Sequence, residues 1–451
     1  MPDFTDTIAA LATPTGTAAI AVIRVSGSDT GRLAHELWGE TPLPRQMHRG
    51  DYRDRQGVVL DDVLHVFFLG PKSYTGEDSL EISCHGNPFV AQKILEDVLA
   101  RGCRMAEPGE FTQRAFLSGR MDLSQAEAVM DLIHARSDRA LAAANQQLRG
   151  SLGRRMTGLI DGLLAVIARV EAYIDFPDED LPAEDHNLVR EALERLADET
   201  RRLMATSHYG ELLREGIKTV IIGKPNVGKS SLLNRLVGQE RALVSPDPGT
   251  TRDFIEERLM VGPHFLRLID TAGLNPSPAP LEKRGIEKTL ERAAEADLFL
   301  LVLEQGDAPT ALPAELQGLV NAGNCVILLN KSDLCNSVAK PTELFGIRAL
   351  SVSAKSGAGL YELNQVIVGL ADSRAMTTGD EVIAINARHA QALIGAQNAL
   401  QSALANLAAN GPVELLANDL RAVLDAYGEI AGRVDNERML DALFATFCIG
   451  K

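Results

Sequence analysis

Aromatic side chains are scarce in this sequence, at 4% of 451 residues with a single Trp, which weakly disfavours a surface built to stack nucleic-acid bases. Basic side chains are outnumbered as well. Forty-five Lys and Arg face 61 Asp and Glu, and the net charge of −16 excludes a grip on nucleic acid by bulk electrostatics while leaving room for a local basic patch. The five cysteines, Cys84, Cys103, Cys325, Cys335 and Cys448, are odd in number and lack the CxxC spacing of a zinc or redox site, so a reducing compartment is expected. No apolar run approaches the ~20 residues of a membrane-spanning helix. The N-terminus, Met1-Pro2-Asp3-Phe4-Thr5-Asp6, is acidic and lacks the basic-then-apolar order of a signal peptide. A cytoplasmic protein is expected.

What is present is the composition of an ordinary folded chain, 45% hydrophobic and 24% charged, long enough for roughly three domains. Residues 1–118 mix β-type runs, such as 19–25 and 63–69, with turn and helix signals, and read as an α+β domain. From about 119 to 215 the texture is Ala- and Leu-rich and helical. Ser124-Gln125-Ala126-Glu127 offers a capping box, and Leu159, Leu163, Val166, Ile167 and Val170 recur at helical spacing. The acidic, Pro-broken stretch 175–182 stops that helix and reads as a solvated connection rather than a metal site. A further helix is expected from about Glu184 to Arg214. Residues 216–373 then alternate strand and helix, with strands at 217–222, 265–269, 298–303 and 325–329, as in a doubly wound α/β domain. Residues 374–451 return to helix, so the α/β unit interrupts a helical domain.

The strongest motif is Gly223-Lys224-Pro225-Asn226-Val227-Gly228-Lys229-Ser230, a complete GxxxxGK[ST] pattern between a strand and a helix that starts near Ser231. Its backbone amides can wrap phosphates, Lys229 can reach the β and γ oxygens, and Ser230 can ligate Mg²⁺. Three more motifs follow in order. In Asp270-Thr271-Ala272-Gly273 the Asp can hold the water shell of Mg²⁺ and the Gly backbone can sense the γ-phosphate. In Asn330-Lys331-Ser332-Asp333 the Asp333 carboxylate can accept the N1 and N2 protons of guanine, which adenine does not present. Ser353-Ala354-Lys355 completes a base pocket. Four ordered motifs in one domain identify a GTP-binding domain.

Between the first two motifs lies Pro248-Gly249-Thr250-Thr251-Arg252-Asp253, whose Thr251 is placed to meet Mg²⁺ in a switch loop. Leu274 stands where many small GTPases carry a water-orienting Gln, so another group must act. A monovalent cation near Asn226 and a downstream acid such as Glu282 would serve.

These motifs, with Asp6-Thr7-Ile8-Ala9-Ala10, Ile23-Arg24-Val25-Ser26-Gly27, Tyr74-Thr75-Gly76-Glu77-Asp78, Gly109-Glu110-Phe111-Thr112 and the C-terminal Phe447-Cys448-Ile449-Gly450-Lys451, resemble the MnmE (TrmE) family of tRNA uridine-modification GTPases over essentially the whole chain. The resemblance implies an N-terminal folate-binding domain that mediates homodimerisation, a discontinuous helical domain, and an inserted potassium-activated G domain. It implies a complex, a heterotetramer or larger, with the FAD-dependent partner MnmG (GidA), the FAD residing on the partner. Together they would add an aminomethyl or carboxymethylaminomethyl group to the wobble uridine of certain tRNAs, drawing a one-carbon unit from 5,10-methylenetetrahydrofolate. By the same resemblance Asn226, Ser245, Asp247 and Thr250 match the K⁺ positions, Ser230 and Thr251 the Mg²⁺ positions, and Glu282 the catalytic acid. Pro246 and Pro248 depart from the family's loop and stiffen it.

For folate, Arg24, Glu81 and Lys451 match. Arg120 stands where a Lys is expected, exchanging a point charge for a planar fork. Glu81 can accept from pterin N–H groups, and Arg24 and Lys451 can pair with glutamate-tail carboxylates. Arg24 and Glu81 can equally be ordinary salt-bridged strand residues. Cys448 reads either as a packed helix-end thiol or as a catalytic thiol near the one-carbon site. His85 reads as a turn residue and His134 as a helix-surface one. Two rival functions have less support. A ribosome-assembly GTPase lacks its appended RNA-binding module here, and a folate enzyme with a vestigial G domain conflicts with the four intact nucleotide motifs.

Overall fold

In a computed structural model the chain is described over residues 6–175, 183–224, 226–239, 256–269, 296–306, 317–334, 343–373, 383–432, 440 and 443–450. It divides into two compact units: Met1–Met130 with Leu152–Ile160 and Asp425–Lys451, and Asp131–Ser151 with Asp161–Leu424. The expected classes are all present: an α+β sheet domain, long helices, and a P-loop α/β sheet.

The first unit is built on a six-stranded sheet, ordered β3 (Met47–Arg53), β4 (Val59–Phe68), β5 (Ser79–His85), β2 (Ile20–Ser26), β1 (Ile8–Leu11) and β6 (Arg104–Met105). Its neighbours are antiparallel except β1 and β6. Side chains alternate between faces along a strand, and that period assigns two roles to β2. Ala21, Ile23 and Val25 lie opposite Cys84, Ile82 and Leu80 in a buried core with Leu33, Ala91, Ile94 and Val98 of the helices Thr30–Trp38 and Pro88–Ala100. Arg24 falls on the other face, directly opposite Glu81 on β5 and Ala10 on β1.

That second face carries a smaller core of Ile8, Ala10, Ala106 and Phe111. The C-terminal tail docks beside it. Phe444 and Phe447 pack with Leu123 and Ala126, and the Gly109 amide donates to the Cys448 carbonyl at 3.3 Å. Gly450 has φ 91°, and a Cβ there would lie 2.6 Å from the Leu11 carbonyl oxygen, so both the backbone conformation and the close approach to β1 call for glycine.

The helix Leu123–His134 does start with a capping box, two residues earlier than expected. Asp122 Oδ1 accepts from the Gln125 amide at 2.8 Å, and Gln125 Oε1 accepts from the Asp122 amide at 2.9 Å. Ser124 instead donates to Asp122. The Asp122 carboxylate thus accepts both from the Gln125 amide and from the hydroxyl of Ser124, two residues on, which uses up the Ser124 side chain as a competing cap.

The second unit holds a seven-stranded sheet: β12 (Glu343–Leu344), β13 (Ile347–Ser351), β11 (Cys325–Asn330), β10 (Leu298–Glu304), β7 (Ile217–Ile222), β9 (His264–Ile269) and β8 (Glu256–Val261). The five inner strands run parallel and the two edges antiparallel. Both faces are covered, which is why the central strands β10 and β11 read as apolar runs, whereas β7, β9 and β13 admit Lys218, Arg267 and Arg348 at positions that are not buried. Val220, Ile222, Phe299, Leu301 and Ile327 bury on one side; Ile221, Leu300, Val302, Val326 and Leu328 bury on the other.

The helix expected over 184–214 is two helices, Ala183–Met204 and Ser207–Glu215, the second leading into β7. Ala183–Met204 packs along Ala387–Ala408. A shorter helix, Asp138–Leu148, is capped by Ser137 and buries Ala140 and Ala143 in the same core as Leu259 and Leu266 of the β8–β9 hairpin. The hairpin's turn is tied to this helix. The Arg139 amide donates to the Pro263 carbonyl at 3.3 Å, and the Asp372 carboxylate takes Arg139 at 3.2 Å and buried His264 at 3.0 Å.

Candidate functional site

The order of the parallel strands places a topological switch between β7 and β10, since the chain leaves β7 to one side for β9 and returns on the other for β10. Open α/β sheets bind ligands at the carboxyl edge there. Gly223 follows β7 at that edge, and Asn330 ends β11 beside it.

The P-loop is folded around its own lysine. Lys229 Nζ donates to the carbonyls of Gly223 at 2.8 Å and Lys224 at 2.9 Å, which holds the ammonium at the loop. Asn226 and Gly228 both take left-handed backbone, φ 66° and 94°, turning successive amides toward one concavity, an anion nest. A Cβ on Gly228 would lie 2.3 Å from Asn330 Nδ2. Val227 is buried in the sheet core and pins the loop from below. Ser230 and Ser231 are exposed in the first turn of the helix Lys229–Gln239, which begins two residues before the expected start.

Asn330 ties this loop to the base pocket. Its side-chain amide donates to the Val227 carbonyl at 2.8 Å, and its side-chain oxygen accepts from the Ala354 amide at 3.0 Å. Ser353, fully buried, donates its hydroxyl to Asp333 Oδ1 at 2.6 Å and accepts from the Ser356 amide at 3.1 Å. The Ser353 hydroxyl holds the exposed Asp333 carboxyl below its ordinary value, keeping it an acceptor. Lys331 lies between them, paired with Glu304, and Lys355 is exposed at the rim. The arrangement can hold a phosphate chain at one end and read a base that presents two adjacent donors at the other.

The second cleft lies on the outer face of β2 and β5. Arg24 Nε and Nη2 both donate to Glu81 Oε1, at 3.0 and 2.8 Å, and Nη1 donates to the Gly450 carbonyl at 3.2 Å. The guanidinium sits 5.4 Å from the Tyr74 ring centre and 5.8 Å from that of Phe111, within cation–π range. Arg24 and Glu81 thus meet each other first, as salt-bridged strand residues do, with side chains 18% and 33% exposed. Both bonds from Arg24 to Glu81 use Oε1, and the bond to the Gly450 carbonyl brings the C-terminal tail beside the pair.

Two sequence motifs that had no assigned role support this cleft. Tyr74 bonds Thr112 at 2.9 Å. Thr75 and Glu77 both bond Ser26, at 2.6 and 2.8 Å. Arg114, almost wholly buried, pairs with Glu110, Asp6 and Glu77 at 2.8, 2.6 and 3.2 Å, while Arg104 pairs with Asp6 and Glu110. The loop 74–78 and the helix Glu110–Leu117 are therefore locked together under Arg24. Sequence spacing could not show this, because Asp6 and Arg114 stand 108 residues apart.

Arg120 is exposed, its stem passing beside Gly76. Cys448 is exposed rather than packed, the other described cysteines being buried. His85 ends β5 and pairs with Asp61 at 2.8 Å, and His134 is exposed at a helix end. Glu282, Lys451, Ser245, Pro246, Asp247, Pro248, Gly249, Thr250, Thr251, Asp270, Thr271, Ala272 and Gly273 lie outside the described residues, as does the acidic stretch 176–182. Among the described residues no cluster of three or more His, Cys, Asp or Glu is arranged for a metal, and no helix is long and apolar enough to cross a membrane.

A family model for the MnmE helical domain matches residues 123–448, and one for the GTP-binding protein TrmE N-terminus matches residues 7–120. The sequence is 60% identical over 454 residues to the tRNA modification GTPase MnmE of Opitutus terrae, covering 100% of both chains. It is 42% identical over 456 residues to the MnmE of Akkermansia muciniphila, again covering 100% of both. Against that of Geobacillus kaustophilus it is 40% identical over 459 residues, covering 99% of each.

Proposed function

Because the chain belongs to the MnmE (TrmE) family of tRNA modification GTPases, we propose that its GTP hydrolysis is activated by K⁺ and drives modification of the wobble uridine of tRNA. The observation that carries the GTP half of this reading is the hydrogen-bonded chain from Val227 through Asn330 to Ala354, with Asp333 oriented by Ser353. Such a chain fixes the distance between phosphate loop and base reader before nucleotide arrives, and preorganisation of that kind lowers the ordering cost of binding.

In this reading the amides of residues 226–231 and Lys229 hold the phosphates, and Asp333 accepts from the guanine edge. Ser230 and Thr251 would hold Mg²⁺, and Asn226, Ser245, Asp247 and Thr250 would hold K⁺. The residues in view fit: Asn226 is exposed on left-handed backbone at the loop's lip, and Ser230 is exposed in the first helical turn. When bound there, the cations supply the positive charge that an arginine finger gives other GTPases. Glu282 orients the attacking water, the task Leu274 cannot perform.

The cleft at Arg24 and Glu81 takes a folate, which would carry the one-carbon unit as 5,10-methylenetetrahydrofolate. Glu81 would offer an acceptor to the pterin N–H groups. Arg24, which also holds Glu81, and Lys451 would pair with the tail carboxylates, and Arg120 would add charge at the position where a Lys is expected. Cys448 stands exposed on the C-terminal tail beside the Arg24–Glu81 pair. The domains run 1–118 (folate-binding and dimerising), 119–215 with 374–451 (helical) and 216–373 (GTP-binding). Partners are a second copy of the chain, the FAD-dependent MnmG, and tRNA held largely by MnmG.

Two measurements test the reading. Mass spectrometry of tRNA from cells lacking this protein should show the wobble uridine unmodified at C5, restored by the wild-type chain and not by Lys229→Ala. GTP turnover should be at least about tenfold faster in K⁺ than in Na⁺ buffer, the size expected when a charge-stabilising group is supplied or withheld. Equal rates in the two salts would remove the cation from the mechanism.

A further inference from the structure

We propose that Glu304 is a positioning residue for guanine binding that acts by holding Lys331. The inference rests on guanine-nucleotide binding by this domain. Strands β10 and β11 are parallel neighbours, and their register sets Glu304 directly beside Asn330 at the carboxyl edge of the sheet. Glu304 is the only residue of Leu298–Glu304 that is not buried, so a charged side chain there projects at the rim where ligands bind. Its Oε2 lies 2.8 Å from Lys331 Nζ.

Lys331 itself adopts left-handed backbone, φ 64°, which an L residue with a long side chain rarely takes. That conformation leads the chain from Asn330 into the short turn Ser332–Leu334, which carries Asp333. The Lys331 stem thus starts between the residue that fixes the phosphate loop and the one that accepts from the base edge. An aliphatic lysine stem can cover an apolar ring face while its ammonium stays at the polar rim. Glu304 fixes that ammonium. Without it the four-carbon stem is free among its rotamers and must be ordered anew at each binding event.

The pair is partly exposed, its side chains 42% (Glu304) and 30% (Lys331) accessible, so its effect is modest. Glu304→Gln, which keeps shape and removes charge, should weaken GDP and GTP binding by about two- to fivefold. The value of kcat at saturating GTP should not change, because in this reading the Lys331 stem would lie on the base and away from the reacting phosphate. In a Lys331→Met background, which keeps the stem and removes the head, Glu304→Gln should have no further effect. Inosine diphosphate, which shares guanine's ring face but lacks the N2 amino group, should lose the same factor as GDP.

The experiment is titration calorimetry of the full-length protein with GDP and IDP in the four backgrounds of that cycle, alongside steady-state turnover. An unchanged affinity in Glu304→Gln would overturn the proposal. So would an equal loss with and without the Lys331 ammonium, or a loss confined to GDP, which would place Glu304 behind Asp333 instead. Failure of the wild-type protein to bind GDP would strike at the GTPase reading itself, a result distinct from all of these.

Discussion

Asn330 shows how much one side chain can join. It is 2% exposed, donates to the Val227 carbonyl, accepts from the Ala354 amide, and lends its own carbonyl to the Gln305 amide at 2.9 Å. Truncation to Ala would leave the Val227 oxygen and the Ala354 amide without these partners. Each buried polar group left unpaired costs about 1–3 kcal/mol, so Asn330→Ala should destabilise the protein by roughly 2–6 kcal/mol and abolish measurable GTP binding. Thermal melting with GDP titration checks both. If Tm and affinity stay at wild-type values, the side chain is not the tie described. The sequence made Asp333 legible as a base reader because its chemistry is local. The tie was not legible, since Asn330 and Val227 are 103 residues apart and only the strand register brings them together.

At the scale of elements, the central strands β10 and β11 were readable because burial on both faces leaves almost no polar position to interrupt them. Helix ends were less so. The break between Met204 and Ser207 contains Ala205 and Thr206, which carry no Gly or Pro to announce it. The capping box was misplaced because Ser124 and Glu127 match the pattern as well as Asp122 and Gln125 do, and only packing chooses between them.

The charge network under Arg24 has a pH signature. Burial raises the Glu110 carboxyl, but hydrogen bonds from Arg104, the Glu107 amide and Arg114 outweigh it and leave it below its ordinary value. Asp6 behaves alike, burial opposed and overcome by Arg104 and Arg114. A depressed carboxylate contributes stability that is present above its unfolded pKa of about 4 and lost as the pH falls through the folded value.

A second group acts at higher pH. His65 is 3% exposed and stacks on Trp38 with ring centres 3.6 Å apart. Burial, aided by the charge of His48, pulls its pKa down to about 4. Its contribution is complete above about 6.5 and is lost between there and about 4. Thermal melts of the full chain should therefore show the unit containing the six-stranded sheet losing stability in two stages, from pH 6.5 downward and again below about 4. His65→Gln should flatten the first stage only. A melt that is independent of pH between 7 and 4 would contradict the His65 assignment, and one that is independent of pH below 4 the carboxylate assignment.

For the whole molecule, the net charge of −16 argues against a grip on tRNA by bulk electrostatics, and much of that grip is accordingly proposed to come from a partner. Composition could set that boundary condition; it could not show how motion in one part reaches another. The β8–β9 hairpin offers a route. Its strands pair along their whole length. In sequence its ends continue into the segments that hold Thr251 on one side and Asp270 on the other, while its turn is fastened to Arg139 and Asp372.

A paired ribbon gripped at its far end would act as a crank, passing a displacement of its near end to the helix Asp138–Leu148 to which its turn is bonded. Breaking the grip should disconnect engine from load. Asp372→Asn should leave GTP turnover within about twofold of wild type, as expected for a change remote from the reacting phosphates, while wobble-uridine modification in complemented cells falls well below it. If the two activities fall together, the hairpin does not transmit, and the fastening serves stability alone.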